Sequence, residues 1–173
     1  MHELYAGDAA GEGLSFRGQF GFIPFTHQFR LPRHVHLSTE KRSEGRKLLP
    51  ERILVLHRVA LTEFAGEIYL VGHGSLVEIS PEVPHTWNAC PPGVVLPDGV
   101  VSTGEFTMVY VYSEPTKFFP LSRATAYKVR TSLVEYKGDL ENIRFPHLSP
   151  EQVVRRASFV WNREVRRDLK VAS

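Results

Sequence analysis

The chain has 173 residues, 42% of them hydrophobic and 23% charged, with a formal net charge of +2, the proportions of an ordinary globular protein of one domain with a real core. The near-neutral balance excludes a broad basic face for nucleic acid, and no apolar run approaches the ~18 residues of a membrane span. A single cysteine, Cys90, excludes an internal disulfide, and with no charged-then-apolar leader a reducing, cytoplasmic location is expected.

Residues 1–15 carry glycines and acids with little periodicity and read as a loose arm. Phe16, Phe20, Phe22, Phe25 and Phe29 then suit short strands and turns, as the wall of an aromatic pocket or as the core of a β protein. Arg33-His34-Val35-His36 puts two histidines at alternate positions of an extended segment, so both imidazoles project from one face. Leu37 to Pro50 is polar and reads as an exposed loop.

Glu51 to Leu61 is a strongly aliphatic strand, followed by Gly66–Val71, a Gly72-His73-Gly74 turn and Ser75–Ser80. Short strands spaced by glycine turns indicate an antiparallel sandwich or barrel, and the lack of helix-length connections argues against a parallel sheet. Pro81-Glu82-Val83-Pro84-His85-Thr86-Trp87 supplies a third histidine just past a proline-marked turn. After a long loop from Pro91 to Gly104, the strand from Phe106 carries Phe106, Met108, Tyr110 and Tyr112 on one face.

Ser149-Pro150-Glu151-Gln152 has the serine cap, first-turn proline and third-position glutamine of a helix start. Val154, Ala157, Trp161, Val165 and Leu169 follow at helical spacing and predict one long amphipathic C-terminal helix. Among the histidines, a lone His-x-His arises readily by chance in a chain with eight of them. The two histidine stretches together make the stronger case, because three convergent imidazoles and a carboxylate form a half-open site for a divalent metal.

These stretches resemble the two motifs of the cupin superfamily. His34 and His36 match the His-x-His of the first, while Gly74, Pro81, His85 and Asn88 match the glycine, proline turn, histidine and asparagine of the second. The resemblance covers roughly Phe29 to Tyr112 and is closest to small single-domain cupins, including quercetinase-like and polyketide-tailoring ones. It implies an all-β double-stranded β-helix, a jelly-roll barrel, with a core at about 16–120 and a C-terminal helical extension at about 121–173. It also implies a homodimer.

The family's metal-binding glutamate has two candidates. Glu40 has the literal spacing after His36, whereas Glu51 opens the aliphatic strand, where the family's glutamate sits. Glu51 is favoured, with Leu37 to Pro50 as an inserted loop whose closure entropy grows only slowly with length. The implied metal ligands are therefore His34, His36, Glu51 and His85. Arg58 and Val83 depart from the pattern, each standing where the family commonly has glycine.

With Glu51 facing inward, strand parity turns Ile53, Val55 and His57 the same way. His57 is then either an acid–base group or a core histidine, and Tyr110 is a second candidate for a catalytic role. Phe29, Val55, Trp87 and Met108 are expected to line the substrate pocket. The ligand set suits Fe, Mn, Ni, Cu or Zn alike. The apolar, aromatic lining points to a planar aromatic or polyketide-like small molecule. The expected function is a metal-dependent oxygenase; alternatives are an isomerase, cyclase or lyase using the metal as Lewis acid, or a non-catalytic binder of a small ligand. Neither nucleic acid nor membrane is an expected partner, and a Cys90 hydrolase lacks a third orienting group.

Overall fold

The computed structural model describes residues 2–5, 18–40, 47–126, 133–161 and 163–172. In chain order the strands are β1 (His2–Tyr5), β2 (Gln19–Thr26), β3 (His34–Ser38), β4 (Leu48–Leu49), β5 (Glu51–Phe64), β6 (Glu67–Gly72), β7 (Leu76–Ile79), β8 (His85–Ala89), β9 (Val94–Val95), β10 (Glu105–Tyr112) and β11 (Thr116–Pro120). One short α-helix, α1 (Pro150–Arg156), precedes β12 (Ser158–Trp161), β13 (Glu164–Arg166) and β14 (Lys170–Val171). The all-β expectation holds.

The long strand β5 belongs to two sheets. Its first arm pairs with β7 and β10 in a sheet ordered β1-β2-β10-β5-β7. Its second arm, from Val59, pairs with β6 and β8 in a sheet that also contains β3, β11, β12 and β13. A straight strand of 14 residues would separate its ends by about 43 Å. Yet Phe64, at one end, pairs with His85, and Glu51, at the other, puts a carboxylate oxygen 3.0 Å from the His85 ring. The strand therefore folds back on itself.

The corner lies at Arg58. Its φ is 63°, in the left-handed region, and the pairing of β5 with β10 slips there between Thr107 and Met108. Glycine takes this conformation without a Cβ clash. The glycine expected at this position from sequence is replaced by Arg58, which holds the left-handed conformation with a Cβ.

Between the sheets lies a core that includes Phe25, Ile53, Val55, Trp87, Phe106 and Met108. The outer face of the second sheet is covered as well, since Val59, Leu61 and Leu70 pack with Phe145, Val153, Phe159 and Leu169. The outer face of the first sheet is apolar and partly exposed among the described residues. Phe22, Val109, Leu54 and Leu76 lie in one cross-strand row, with Leu76 71% exposed.

Three expectations about the chain's periphery are corrected. The loose N-terminal arm is in part a strand, since His2–Tyr5 pairs with β2, while residues 6–15 lie outside the described residues. The inserted loop is shorter than Leu37 to Pro50, because Leu37, Leu48 and Leu49 are buried and β4 pairs with β3; residues 41–46 lie outside the described residues. The C-terminal helix has its capping box, with Ser149 accepting from the Gln152 N–H and Gln152 from the Ser149 N–H, but it ends at Arg156.

Beyond it the chain turns extended, and β12 adds in parallel to the edge of β6. The predicted helical stripe left Phe159 out. As a strand residue it is fully buried and stacks 5.8 Å from Trp161. Burial of that ring and the open ladder of β6 outweigh the helical spacing of Trp161, Val165 and Leu169. Among its described residues the extension at about 121–173 is thus strand and irregular chain, with one 3-10 turn at Leu140–Ile143 and a seven-residue α-helix. No helix among the described residues is long and apolar enough to cross a membrane.

Candidate metal centre

Antiparallel pairing of β3 with β8 sets His34 directly opposite His85, with ring centroids 4.5 Å apart. His36, two residues along β3, projects from the same face, its ring 4.7 Å from that of His34. The corner in β5 brings Glu51 to the same place. All four side chains are buried, and each offers a ligand atom within 4.8 Å of the others. The start of β3 is held by Arg33, whose Nε donates to Glu63 Oε1 at 2.7 Å and whose Nη1 donates to the Ser122 carbonyl at 3.0 Å.

Hydrogen bonds fix the direction in which two of the imidazoles present their lone pairs. His34 Nδ1 lies 2.8 Å from the Pro32 carbonyl, and His85 Nδ1 lies 2.9 Å from the Val83 carbonyl. A carbonyl only accepts, so each Nδ1 carries a proton, and it is Nε2 of each ring that points into the cluster. Such bonds from the remote nitrogen are the usual way a metal-binding histidine is oriented.

His85 Nε2 then faces Glu51 Oε2 at 3.0 Å, and neither atom has a hydrogen-bond partner. His36 Nε2 lies 3.6 Å from the same oxygen. Two buried groups this close need a proton or a metal cation between them. The donor set, three imidazoles and one carboxylate, therefore fits a divalent transition metal.

The electrostatics agree with that fit. Burial, followed by the neighbouring His85 and His36, holds His34 well below an ordinary imidazole, and burial likewise lowers His36. Burial alone would raise the Glu51 carboxyl, but His36 and His85 around it hold it well below the usual carboxylate range. An ionised carboxylate, and imidazoles that give up their protons readily as His34 and His36 do, are what a metal requires.

A cavity of about 180 Å³ opens beside the cluster. Trp87, Met108 and Tyr110 line it, together with Gln19, Ile23, Leu31, Tyr112, Thr116 and Phe118. Phe118 stacks on His34 at a centroid distance of 4.2 Å and is 38% exposed, at the cavity's mouth. A wider groove of about 890 Å³, lined among others by Phe64, Tyr69 and Trp161, contains none of the four cluster residues. Among the described residues this is the one cluster of three or more potential ligands.

Other expected site residues are placed differently. His57 is exposed, next to the corner at Arg58, about 20 Å along the strand from Glu51. Parity fails for it because the register slips between Val55 and His57. Phe29 is 48% exposed in the turn after β2 and packs on Phe25 outside the cavity. Val55 is fully buried in the core but does not line the cavity. Glu40 is exposed, and its backbone N–H donates to Ser38 Oγ. Asn88, matched by motif, donates to the His27 carbonyl rather than joining the cluster. The Cys90 thiol is pushed up to about 12 by burial, which keeps it a thiol.

Tyr112 and Phe118 touch the cluster but were not singled out from sequence as site residues. Tyr112 shares a strand face with Tyr110, so alternation alone gave no reason to rank one above the other.

The fold and the site together define a class: an all-β protein with a buried three-histidine, one-carboxylate cluster at one end of its core. No family model and no curated protein matches the sequence. Among solved structures, the chain is similar to a cupin-like protein from Thermotoga maritima, at 17% identity over 64% of this chain and 74% of that one, with a TM-score of 0.43. It is also similar to a cupin protein from Bacteroides fragilis (12% identity, 78% and 88% covered, TM-score 0.39) and to ectoine synthase from P. lautus (11% identity, 70% and 76% covered, TM-score 0.34). These likenesses are distant, and the class stands on the strands and side chains of this chain alone.

Proposed function

We propose that the chain is a cupin whose His34, His36, Glu51 and His85 hold a divalent transition metal, and that it is an enzyme acting on a small, apolar, oxygen-bearing molecule. The observation that carries this is the unpartnered contact between His85 Nε2 and Glu51 Oε2 inside a closed ring of buried ligand atoms. A bound metal supplies a Lewis acid and, for Fe, Mn, Ni or Cu, a redox centre. The residues of the chain do the rest. The carbonyls of Pro32 and Val83 keep the His34 and His85 rings in place, and Phe118 braces His34 from the mouth. Ile23, Leu31, Trp87 and Met108 exclude water and offer apolar contact to one face of a substrate.

An oxygenase acting on a single-ring phenol or enol is the first reading. A cavity of about 180 Å³ is below the roughly 300–1,000 Å³ of most ligand pockets, which supports a compact substrate over a multi-ring polyketide. The same small volume favours a second reading, Lewis-acid isomerase, cyclase or lyase chemistry, which needs no room for dioxygen beside the substrate. The homodimer implied by the resemblance is part of this proposal, with the apolar outer face around Leu54 and Leu76 as the face a second copy would cover.

Elemental analysis with melting curves tests the metal. At a hundredfold excess over Kd a bound ion stabilises by about 2.7 kcal/mol, roughly 5–10 °C in Tm for a domain of this size. His34→Ala and His85→Ala are expected to abolish metal content and Glu51→Ala to weaken it, while Glu40→Ala leaves it unchanged. Protein isolated without metal, whose Tm does not respond to Fe(II), Mn(II), Ni(II) or Zn(II), would overturn the reading.

A further inference from the structure

The two oxygens of Glu51 have different surroundings. Oε2 faces His85 Nε2 at 3.0 Å and His36 Nε2 at 3.6 Å. Oε1 accepts a hydrogen bond from the Tyr112 hydroxyl, whose oxygen also lies 3.1 Å from His36 Nε2. Tyr112 is the last inward residue of β10, is 5% exposed, and packs its ring 4.6 Å from that of His36. It is therefore tied by one atom to two of the four cluster residues.

We propose that Tyr112 is the positioning residue that makes Glu51 a one-oxygen ligand. The proposal rests on the metal reading given above. A carboxylate on a metal binds through one oxygen or through both, and the outcome is set by what else holds the second oxygen. With Oε1 engaged by Tyr112, the chain contributes four donor atoms: three imidazole nitrogens and Oε2. An ion that takes six ligands then has two positions left for water or substrate. Removing the hydroxyl frees Oε1 to turn inward and claim one of them. Tyr112 thus sets how many positions stay open for chemistry, acting through Glu51.

The test loads wild-type and Tyr112→Phe protein with Mn(II) and measures water-proton relaxation, which counts the exchangeable waters on the ion. The variant keeps the aromatic ring, and its fold is checked by the Tm of the metal-free form. The expected result is one water fewer in Tyr112→Phe than in wild type. Equal counts overturn the proposal while leaving the metal reading intact. A folded Tyr112→Phe protein that takes up no Mn(II) also overturns it, since the phenol oxygen would then be a ligand itself. Wild-type protein that binds no Mn(II), Fe(II), Ni(II) or Zn(II) removes the metal reading and this proposal together. Infrared difference spectra of wild type, metal-loaded minus metal-free, decide the point without any variant. A wide separation of the two carboxylate stretches is expected for one-oxygen binding, and a narrow, chelate-type separation overturns the proposal.

Discussion

The two arms of β5 are built from similar aliphatic residues and have opposite surroundings. In the first arm, Ile53 and Val55 point into the core while Leu54 and Leu56 stand exposed on the outer face. In the second, Val59 to Leu61 are buried without alternation, because Ala60 joins the inner core while Val59 and Leu61 lie under the C-terminal segment. The first arm delivers Glu51 to the cluster, and the second pairs with the strand that delivers His85. Alternation along a strand thus reports how many of its faces are covered, and here one strand gives both answers within 14 residues.

The largest expected effect tests that difference directly. Leu61→Ala is expected to cost about 2–5 kcal/mol in denaturant unfolding, as for other buried leucines. Leu56→Ala, at a residue 50% exposed, should stay within about 0.5 kcal/mol. Similar costs for the two would mean that the C-terminal segment does not cover the second arm.

The meeting of the two arms is tested by pH. His34 and His36 are held below an ordinary imidazole in the folded protein, so below about pH 6.5 the unfolded chain binds protons that the folded one refuses. Stability of the metal-free protein should be flat above that pH and fall below it, by up to about 1.4 kcal/mol per pH unit for each such histidine. The depressed Glu51 carboxyl adds loss of the same sign once the pH drops through the range of an unfolded glutamate. Chemical denaturation of the metal-free protein from about pH 8 to 5.5 measures this, and a flat profile would mean that the buried cluster does not form.

The smallest effect sharpens the role of the corner. A non-glycine residue in the left-handed region costs roughly 1–2 kcal/mol, and glycine gives back part of that through its freer unfolded state. Arg58→Gly should therefore gain about 0.5–1 kcal/mol, whereas Arg58→Ala, which keeps the Cβ, should gain nothing. A loss in Arg58→Gly would show that the arginine side chain contributes more than its backbone conformation costs.

Much of the cluster was legible in the sequence because it depends on short-range rules. His34 and His36 share a face by alternation, and Glu51 outranked Glu40 because it opens a strand. What was illegible depends on long-range geometry. His57 obeys parity only if β5 runs regularly, and the bulge between Val55 and His57 turns it outward just before the corner at Arg58, a residue with no bias towards positive φ. Trp161, Val165 and Leu169 keep helical spacing, but an open strand edge across the molecule decided their conformation. Tyr112 outranks Tyr110 only once the position of the Glu51 carboxylate is known.

The parallel docking of β12 on β6 also bears on how the protein is made. Every ligand of the cluster lies before residue 86, and the inner core is complete with Tyr112. The flank of β6 has no neighbour until Ser158–Trp161 have left the ribosome. During synthesis, then, all four cluster residues emerge while the edge of β6 still awaits its partner strand, and an unpaired edge of this kind is the part of a nascent chain most prone to aggregate.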